Sequence, residues 1–123
     1  MQPGTIQQVL LVGFGGALGS MLRHAGNLLF TTRTFPVTTF FINILGSLVM
    51  GMVVAWSIRH PAAGNWKLFL ATGLCGGFTT FSAFSYENLL LLQEGKTGLS
   101  ILYITASAGI GLLAAWMGYS IMK

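Results

Sequence analysis

Charged side chains are scarce in this chain of 123 residues. Only 7% of the residues are Asp, Glu, Lys or Arg, and only two of them are acidic. A soluble domain carries charge on roughly a quarter of its residues. Hydrophobic residues make up 54% of the chain, and the mean hydropathy is +0.76. This composition excludes a soluble globular domain and predicts an all-α membrane protein.

Several other absences narrow the function. The single cysteine, Cys75, cannot form an intrachain disulfide, and we interpret it as a small apolar filler. No Lys or Arg precedes Arg23, which argues against a cleaved signal peptide. The sequence has no basic run, phosphate-binding loop with lysine, metal-ligand cluster or catalytic dyad. We therefore predict neither an enzyme nor a nucleic-acid-binding protein, and we predict no organic cofactor.

Four apolar segments fill nearly the whole length of the chain. A membrane-spanning helix needs about 20 apolar residues, which predicts a single transmembrane domain, residues 1–123, with helices at about 5–30, 36–58, 66–92 and 99–122. In the first helix, Gly15 and Gly19 have the small-xxx-small spacing that lets a second helix approach closely.

Residues 73–85, in the middle of the third apolar segment, are the most informative part of the sequence. Its paired glycines, Gly76 and Gly77, and paired threonines, Thr79 and Thr80, are poor helix formers. We therefore predict a break near the middle of the third helix. Broken backbone at membrane depth exposes carbonyl and N–H groups that can bind ions. From the residues alone, an ion site and a glycine-rich packing face both remain open.

Three polar or charged residues inside the predicted helices have two interpretations each. Asn43 shares a helix face with Gly46 and Ser47, and its amide either donates to an anion or bonds a neighbouring helix. Arg23 either attracts anions or extends to the headgroups. Glu87 either carries protons or cations, or pairs with a cation near the interface.

Aromatic and hydroxyl side chains also recur at helical spacing. Phe81 and Phe84 share a face, and their ring edges would offer a small anion a weak positive potential. Tyr103 and Ser107 are four residues apart on the fourth helix and form either a polar track or part of a packing seam. For both pairs, the alternative is ordinary core packing.

The loop charges show almost no orientation bias. With a cytoplasmic N-terminus, Arg59, Lys67 and Lys123 lie on the cytoplasmic side, and Arg33 and Lys96 lie opposite. So small a difference predicts insertion in both orientations and favours an antiparallel homodimer. The alternative is one orientation that is set by another factor.

The string Gly76-Gly77-Phe78-Thr79-Thr80-Phe81-Ser82-Ala83-Phe84-Ser85 resembles the signature of the Fluc/CrcB family of bacterial fluoride channels. Residues 15–23, 36–46 and 91–95 also match that family. The resemblance implies a dual-topology antiparallel homodimer in the bacterial inner membrane. It also implies two pores that conduct fluoride passively and selectively, which would lower fluoride toxicity.

The resemblance also implies roles for individual residues. Phe81 and Phe84 would present their ring edges to fluoride, and the Asn43 amide would contact the ion. Gly76 and Thr79 would offer backbone carbonyls to a structural sodium ion at the dimer interface. The other residues of the polar path and its vestibule would be Ser82, Tyr103, Ser107 and Arg23.

This chain departs from the family pattern at two positions. Thr38 stands where the family usually has glycine before Thr39, and Ala83 replaces a threonine, which removes a hydroxyl from the signature. Two other functions remain as alternatives. One is a small dual-topology, proton-coupled multidrug exporter that uses Glu87, and the other is a helper that packs beside a larger membrane protein.

Overall fold

The computed structural model describes residues 3–30 and 36–123, and all the regular structure in these ranges is helical. The elements in chain order are α1 (Pro3–Leu29), α2 (Val37–Arg59), a 3₁₀ turn (Pro61–Ala63), α3 (Gly64–Lys67), a π-helix (Leu68–Cys75), α4 (Gly76–Phe78), α5 (Phe81–Gln93) and α6 (Thr97–Met122). Arg33, which we placed in the first loop, lies outside the described residues.

Four stretches in the described ranges are long and apolar enough to span a membrane: Gly4–Leu29, Val37–Arg59, Pro61–Gln93 and Thr97–Met122. They agree with the four predicted helices. The third span begins at Pro61, earlier than the predicted Trp66, because a proline-initiated 3₁₀ turn leads directly into α3. The four-span, all-helical architecture is therefore confirmed.

The third span changes its backbone geometry twice. Residues 68–75 form a π-helix, a rare conformation that is frequent at functional sites. Thr79 (φ −88°, ψ 147°) and Thr80 (φ −147°, ψ 128°), here called the extended pair, are not helical and lie between α4 and α5. Gly76 and Gly77 are helical, so the extended conformation is confined to the two threonines.

Two glycines of α1, Gly15 and Gly19, and two of the third span, Gly73 and Gly77, lie where the backbones approach closely. A Cβ atom on Gly19 would overlap the carbonyl oxygen of Leu74, and one on Gly77 would overlap the carbonyl oxygen of Gly16. Gly51 and Gly118 likewise allow α2 and α6 to pack closely, because a Cβ on either would overlap the backbone of the facing helix. These approaches bring the backbones together without large side chains between them.

Most of the apolar surface of the single chain is not covered by the chain itself. Between 11% and 28% of each span's most apolar window is buried. Among the fully buried side chains of the described residues, Tyr103 and Ser100 both lie on α6, where they contact Phe84 and Asn88 of α5. Among the described elements, α5 packs chiefly against α6.

Candidate functional site

Asn43 of α2 is bonded to the extended pair. Its Oδ1 atom accepts a hydrogen bond from the backbone N–H of Thr80 across 3.2 Å. In a continuous helix this N–H would donate to the carbonyl of Gly76, four residues earlier. The Asn43 oxygen replaces that acceptor, which leaves the amide NH₂ group of Asn43 available to another partner.

Thr80 caps the start of α5. Its Oγ1 atom accepts from the backbone N–H of Ala83 across 3.3 Å and lies 2.9 Å from Oγ of Ser82. A threonine at this position satisfies one of the free N–H groups of a helix start. Ala83 contributes its backbone to this cap, so the substitution of the family's threonine does not remove the capping bond. Ser82 is exposed in the single chain.

Two side chains of α1 bond to the carbonyl group of Gly77, which lies just before the extended pair. The Gly77 oxygen accepts from Nε of Arg23 across 3.3 Å and from Oγ of Ser20 across 3.5 Å. Of the two acids in the chain, Glu94 pairs with Lys96 at 3.1 Å, and Glu87 lies on α5. Among the described residues, no carboxylate forms an ion pair with Arg23, whose guanidinium group lies against the Gly77 carbonyl.

The two predicted pathway phenylalanines face different surroundings. The Phe84 ring is partly buried and lies 4.9 Å from the Tyr103 ring, with 59° between the ring planes. The ring centroids of Phe81 and Phe84 are 5.8 Å apart, but Phe81 is 78% exposed. Phe84 therefore packs within its own chain, whereas Phe81 lies on the surface of the single chain.

Glu87 lies beside two hydroxyl groups. Its carboxyl group interacts with the side chains of Thr39 on α2 and Tyr103 on α6. A cavity of about 340 Å³ opens at this position, next to the start of α2. Its polar lining residues are Asn27, Thr38, Thr39, Tyr86 and Glu87.

Tyr103 and Ser107, the two hydroxyl residues of the candidate polar track, both lie on α6. Tyr103 is fully buried, and Ser107 Oγ is buried with no hydrogen-bond partner among the described residues. Toward the C-terminal half, the small residue Gly111 faces Ser47 of α2. A second cavity of about 220 Å³, lined by Asn43, Ser47 and Thr79 among others, adjoins this face.

The structure thus brings the predicted residues together in two groups. Asn43 meets the extended pair, and Phe84 meets Tyr103. Arg23 bonds to the carbonyl of Gly77, two residues before the extended pair. Gly76 and Phe81 are exposed in the single chain. Our sequence reasoning missed the buried bond between Asn88 and Ser100, although a polar residue inside a membrane helix is itself a signal.

These features define a multi-pass α-helical membrane protein with polar side chains near the extended pair of its third span. The family described as "CrcB-like protein, Camphor Resistance (CrcB)" matches residues 10–119, and the chain belongs to this family. The resemblance stated from the sequence is therefore confirmed. The protein is a multi-pass protein of the bacterial inner membrane.

Named relatives match over almost the whole chain. A protein of Thermus thermophilus is 45% identical over 120 residues, covering 93% of this chain and 92% of the relative. Proteins of Flavobacterium psychrophilum and Rhizobium meliloti are 42% and 40% identical, each covering 96% of this chain and 98% of the relative. All three are named fluoride-specific ion channel FluC.

Proposed function

We propose that this protein is a fluoride-selective passive channel that exports fluoride from the cytoplasm. The observation that carries the proposal is the 40–45% identity, over nearly the full chain, to proteins named as fluoride-specific channels. The bond of Asn43 to the extended pair and the contact of Phe84 with Tyr103 support it, since these are groups that suit a small anion. Such a protein transports an ion and is not an enzyme.

The chemistry of the site fits an anion that loses part of its water. The Oδ1 atom of Asn43 is held by the Thr80 N–H, so its NH₂ group is the part of the amide that would contact fluoride. The edges of the Phe84 and Phe81 rings would add weak positive potential. A pathway needs such weak, repeated contacts, because an ion must leave as readily as it enters.

Further residues continue this pathway. The hydroxyl groups of Tyr103, Ser107 and Ser82 would replace water molecules along the path, and Ser107 Oγ has no protein partner in the described ranges. The guanidinium group of Arg23, which no described carboxylate pairs, would make the potential near the vestibule more favourable to anions.

We propose that the functional unit is an antiparallel, dual-topology homodimer with two pores. The sparse burial of the four spans and the 78% exposure of Phe81 support a second copy as the cover of this surface. Phe81 of each chain would then complete a pathway together with groups of the other chain. The near balance of positive charges between the two sides of the membrane supports insertion in both orientations.

We also propose a structural sodium ion at the dimer interface, held by carbonyl oxygens. Gly76 fits this role, because the N–H that would bond its carbonyl in a helix donates to Asn43 instead, and Gly76 is exposed. Thr79 is extended, so its carbonyl leaves the helical bonding pattern. Carbonyls of unwound helices coordinate sodium in other membrane proteins. Sodium bound there would offset the carbonyl dipoles and join the two chains.

A passive pathway suffices for this function. Hydrogen fluoride is a weak acid that crosses bilayers as a neutral molecule and ionises in a less acidic cytoplasm, where fluoride accumulates. A membrane potential that is negative inside then drives the anion outward through a selective channel. The relatives' names give no support to the alternative of a proton-coupled exporter that depends on Glu87.

The test is a flux measurement on purified protein in liposomes loaded with potassium fluoride. We expect valinomycin to trigger rapid fluoride efflux, while matched liposomes loaded with potassium chloride release almost no chloride. Folded dimeric protein that releases no fluoride would overturn the proposed function. Equal release of fluoride and chloride would overturn the proposed selectivity.

A further inference from the structure

Two buried polar side chains that the proposed pathway does not use join α5 to α6. Asn88 is 7% exposed and Ser100 is 1% exposed. Ser100 Oγ donates a hydrogen bond to Asn88 Oδ1 across 2.8 Å, and Asn88 Nδ2 donates to the carbonyl oxygen of Phe84 across 2.9 Å. The pair therefore connects α6, through one side chain, to the backbone of Phe84.

The polar bond and the aromatic contact lie on one seam between the two helices. Phe84 and Asn88 are four residues apart on α5, and Ser100 and Tyr103 are three residues apart on α6, so each pair shares a helix face. α5 ends at Gln93 and α6 begins at Thr97, a short connection typical of antiparallel neighbours. The Asn88–Ser100 bond thus lies about one turn from the Phe84–Tyr103 contact.

α5 has few other contacts that fix its position. Its main neighbour in the described structure is α6. α5 is also anchored at its start, where Thr80 bonds to Asn43 on α2, and through the carboxyl group of Glu87, which interacts with side chains of both α2 and α6. Apolar packing alone allows helices to slide or rotate in lipid, whereas a buried hydrogen bond specifies one register. The Asn88–Ser100 bond therefore constrains the angle at which α5 presents its aromatic rings.

We infer that Asn88 and Ser100 are positioning residues of the ion pathway. By joining α5 to α6 one turn from Phe84, they hold the Phe84 ring against Tyr103 and so set the width of the path at the rings. Neither side chain contacts the ion in this role. The inference rests on the proposed fluoride pathway, because it concerns how the pathway's rings are held.

The first test measures unitary fluoride current in planar bilayers. Ser100→Ala removes only the bond between the helices, and Asn88→Leu removes both bonds at similar volume. We expect each to lower the unitary current by about threefold, a change of about 0.65 kcal/mol in the barrier to the ion. The double variant should be no lower than the lower single variant, because both changes remove the same link. A loss of folded protein reduces the number of channels but not the unitary current.

Thr105→Ala is the matched control, since Thr105 on α6 is exposed and its hydroxyl bonds to its own helix at Ile101. This variant should conduct like the wild type. Wild-type unitary current in folded Ser100→Ala would overturn the inference. Should Asn88→Leu fail to assemble, Ser100→Ala decides the test alone.

The second test measures the position of the Phe84 ring and does not depend on ion conduction. Para-fluorophenylalanine at position 84 gives a ¹⁹F resonance that is sensitive to the neighbouring Tyr103 ring, measured in fluoride-free buffer. We expect Ser100→Ala to shift or broaden this resonance and Thr105→Ala to leave it unchanged. An unchanged resonance in Ser100→Ala would overturn the inference. Absence of fluoride current in the wild type would instead overturn the proposed function, and the resonance would still test the positioning.

Discussion

The Thr80 N–H and the Asn43 Oδ1 atom, 3.2 Å apart, join α2 to the start of α5. The amide of Asn43 therefore has two separable roles. Its oxygen supports the backbone of the extended pair, whereas its NH₂ group is the part that we assign to fluoride. Substitutions that remove one of these groups and keep the other distinguish the two roles.

Asn43→Asp should keep the acceptor for Thr80 but lose the NH₂ donor. We expect protein that still assembles but shows fluoride efflux reduced by about tenfold or more, a barrier change of about 1.4 kcal/mol, because the donor is lost and an ionised carboxylate also repels the anion. Asn43→Leu should in addition leave the Thr80 N–H unsatisfied, at a cost of about 1–3 kcal/mol in stability. Thermal unfolding in detergent and liposome efflux measure the two effects. Wild-type efflux by Asn43→Asp would remove the amide from the pathway.

Phe81→Ile and Phe84→Ile should both impair fluoride efflux while the dimer stays assembled, because an aliphatic side chain has no positive ring edge. Their effects on stability should differ. Phe84 packs on Tyr103, so its replacement should lower the melting temperature, whereas Phe81 is 78% exposed in the single chain. Size-exclusion chromatography, melting and efflux together provide the test. Wild-type flux in both variants would contradict the ring-edge mechanism.

Gly118→Ala should destabilise the packing of α6 on α2. A Cβ at this position would overlap the carbonyl oxygen of Leu48, so the helices must separate at a cost of about 1–3 kcal/mol. Gly109→Ala is the matched control, because a Cβ there meets no atom within 4 Å and improves helix propensity by up to about 1 kcal/mol. Melting temperatures of the two purified variants should move in opposite directions. Equal melting temperatures would argue against the tight approach of α2 and α6.

Removal of sodium should weaken the assembly. A cation that binds only the folded dimer stabilises it by about 2.7 kcal/mol at about 100 times its Kd. We therefore expect the melting temperature of the dimer to rise with sodium concentration when the ionic strength is held constant with N-methyl-D-glucamine. Fluoride efflux should fall in sodium-free buffer and recover when sodium returns. A melting temperature independent of sodium would contradict the proposed cation site.

Part of this architecture was predictable from the sequence, because hydropathy and length determine membrane spans directly. The four apolar segments and the family signature needed no structural information. The partner of Arg23 was not predictable, since its contact with the Gly77 carbonyl depends on how α1 packs against the third span. The different surroundings of Phe81 and Phe84 also depend on packing, although the two residues share a helix face in sequence.

The bond between Asn88 and Ser100 shows a second limit of prediction from the sequence. Each residue alone is compatible with an interfacial or packing role, and only the antiparallel arrangement of α5 and α6 brings them within 2.8 Å. The π-helix at Leu68–Cys75 carries no clear sequence signal either. Sequence reasoning therefore predicted which segments cross the membrane but not which polar groups meet there.

The π-helix restricts how this protein can change length during evolution. Each residue of an α-helix adds about 100° of rotation, since a turn contains 3.6 residues. A one-residue deletion within Leu68–Cys75 that kept the π-helical hydrogen bonding would turn the contact faces on its two sides relative to each other. Gly73 and Gly77 could then no longer both meet α1. We therefore expect single-residue insertions and deletions to be tolerated in the loop at residues 94–96 but to be selected against between Trp66 and Thr79.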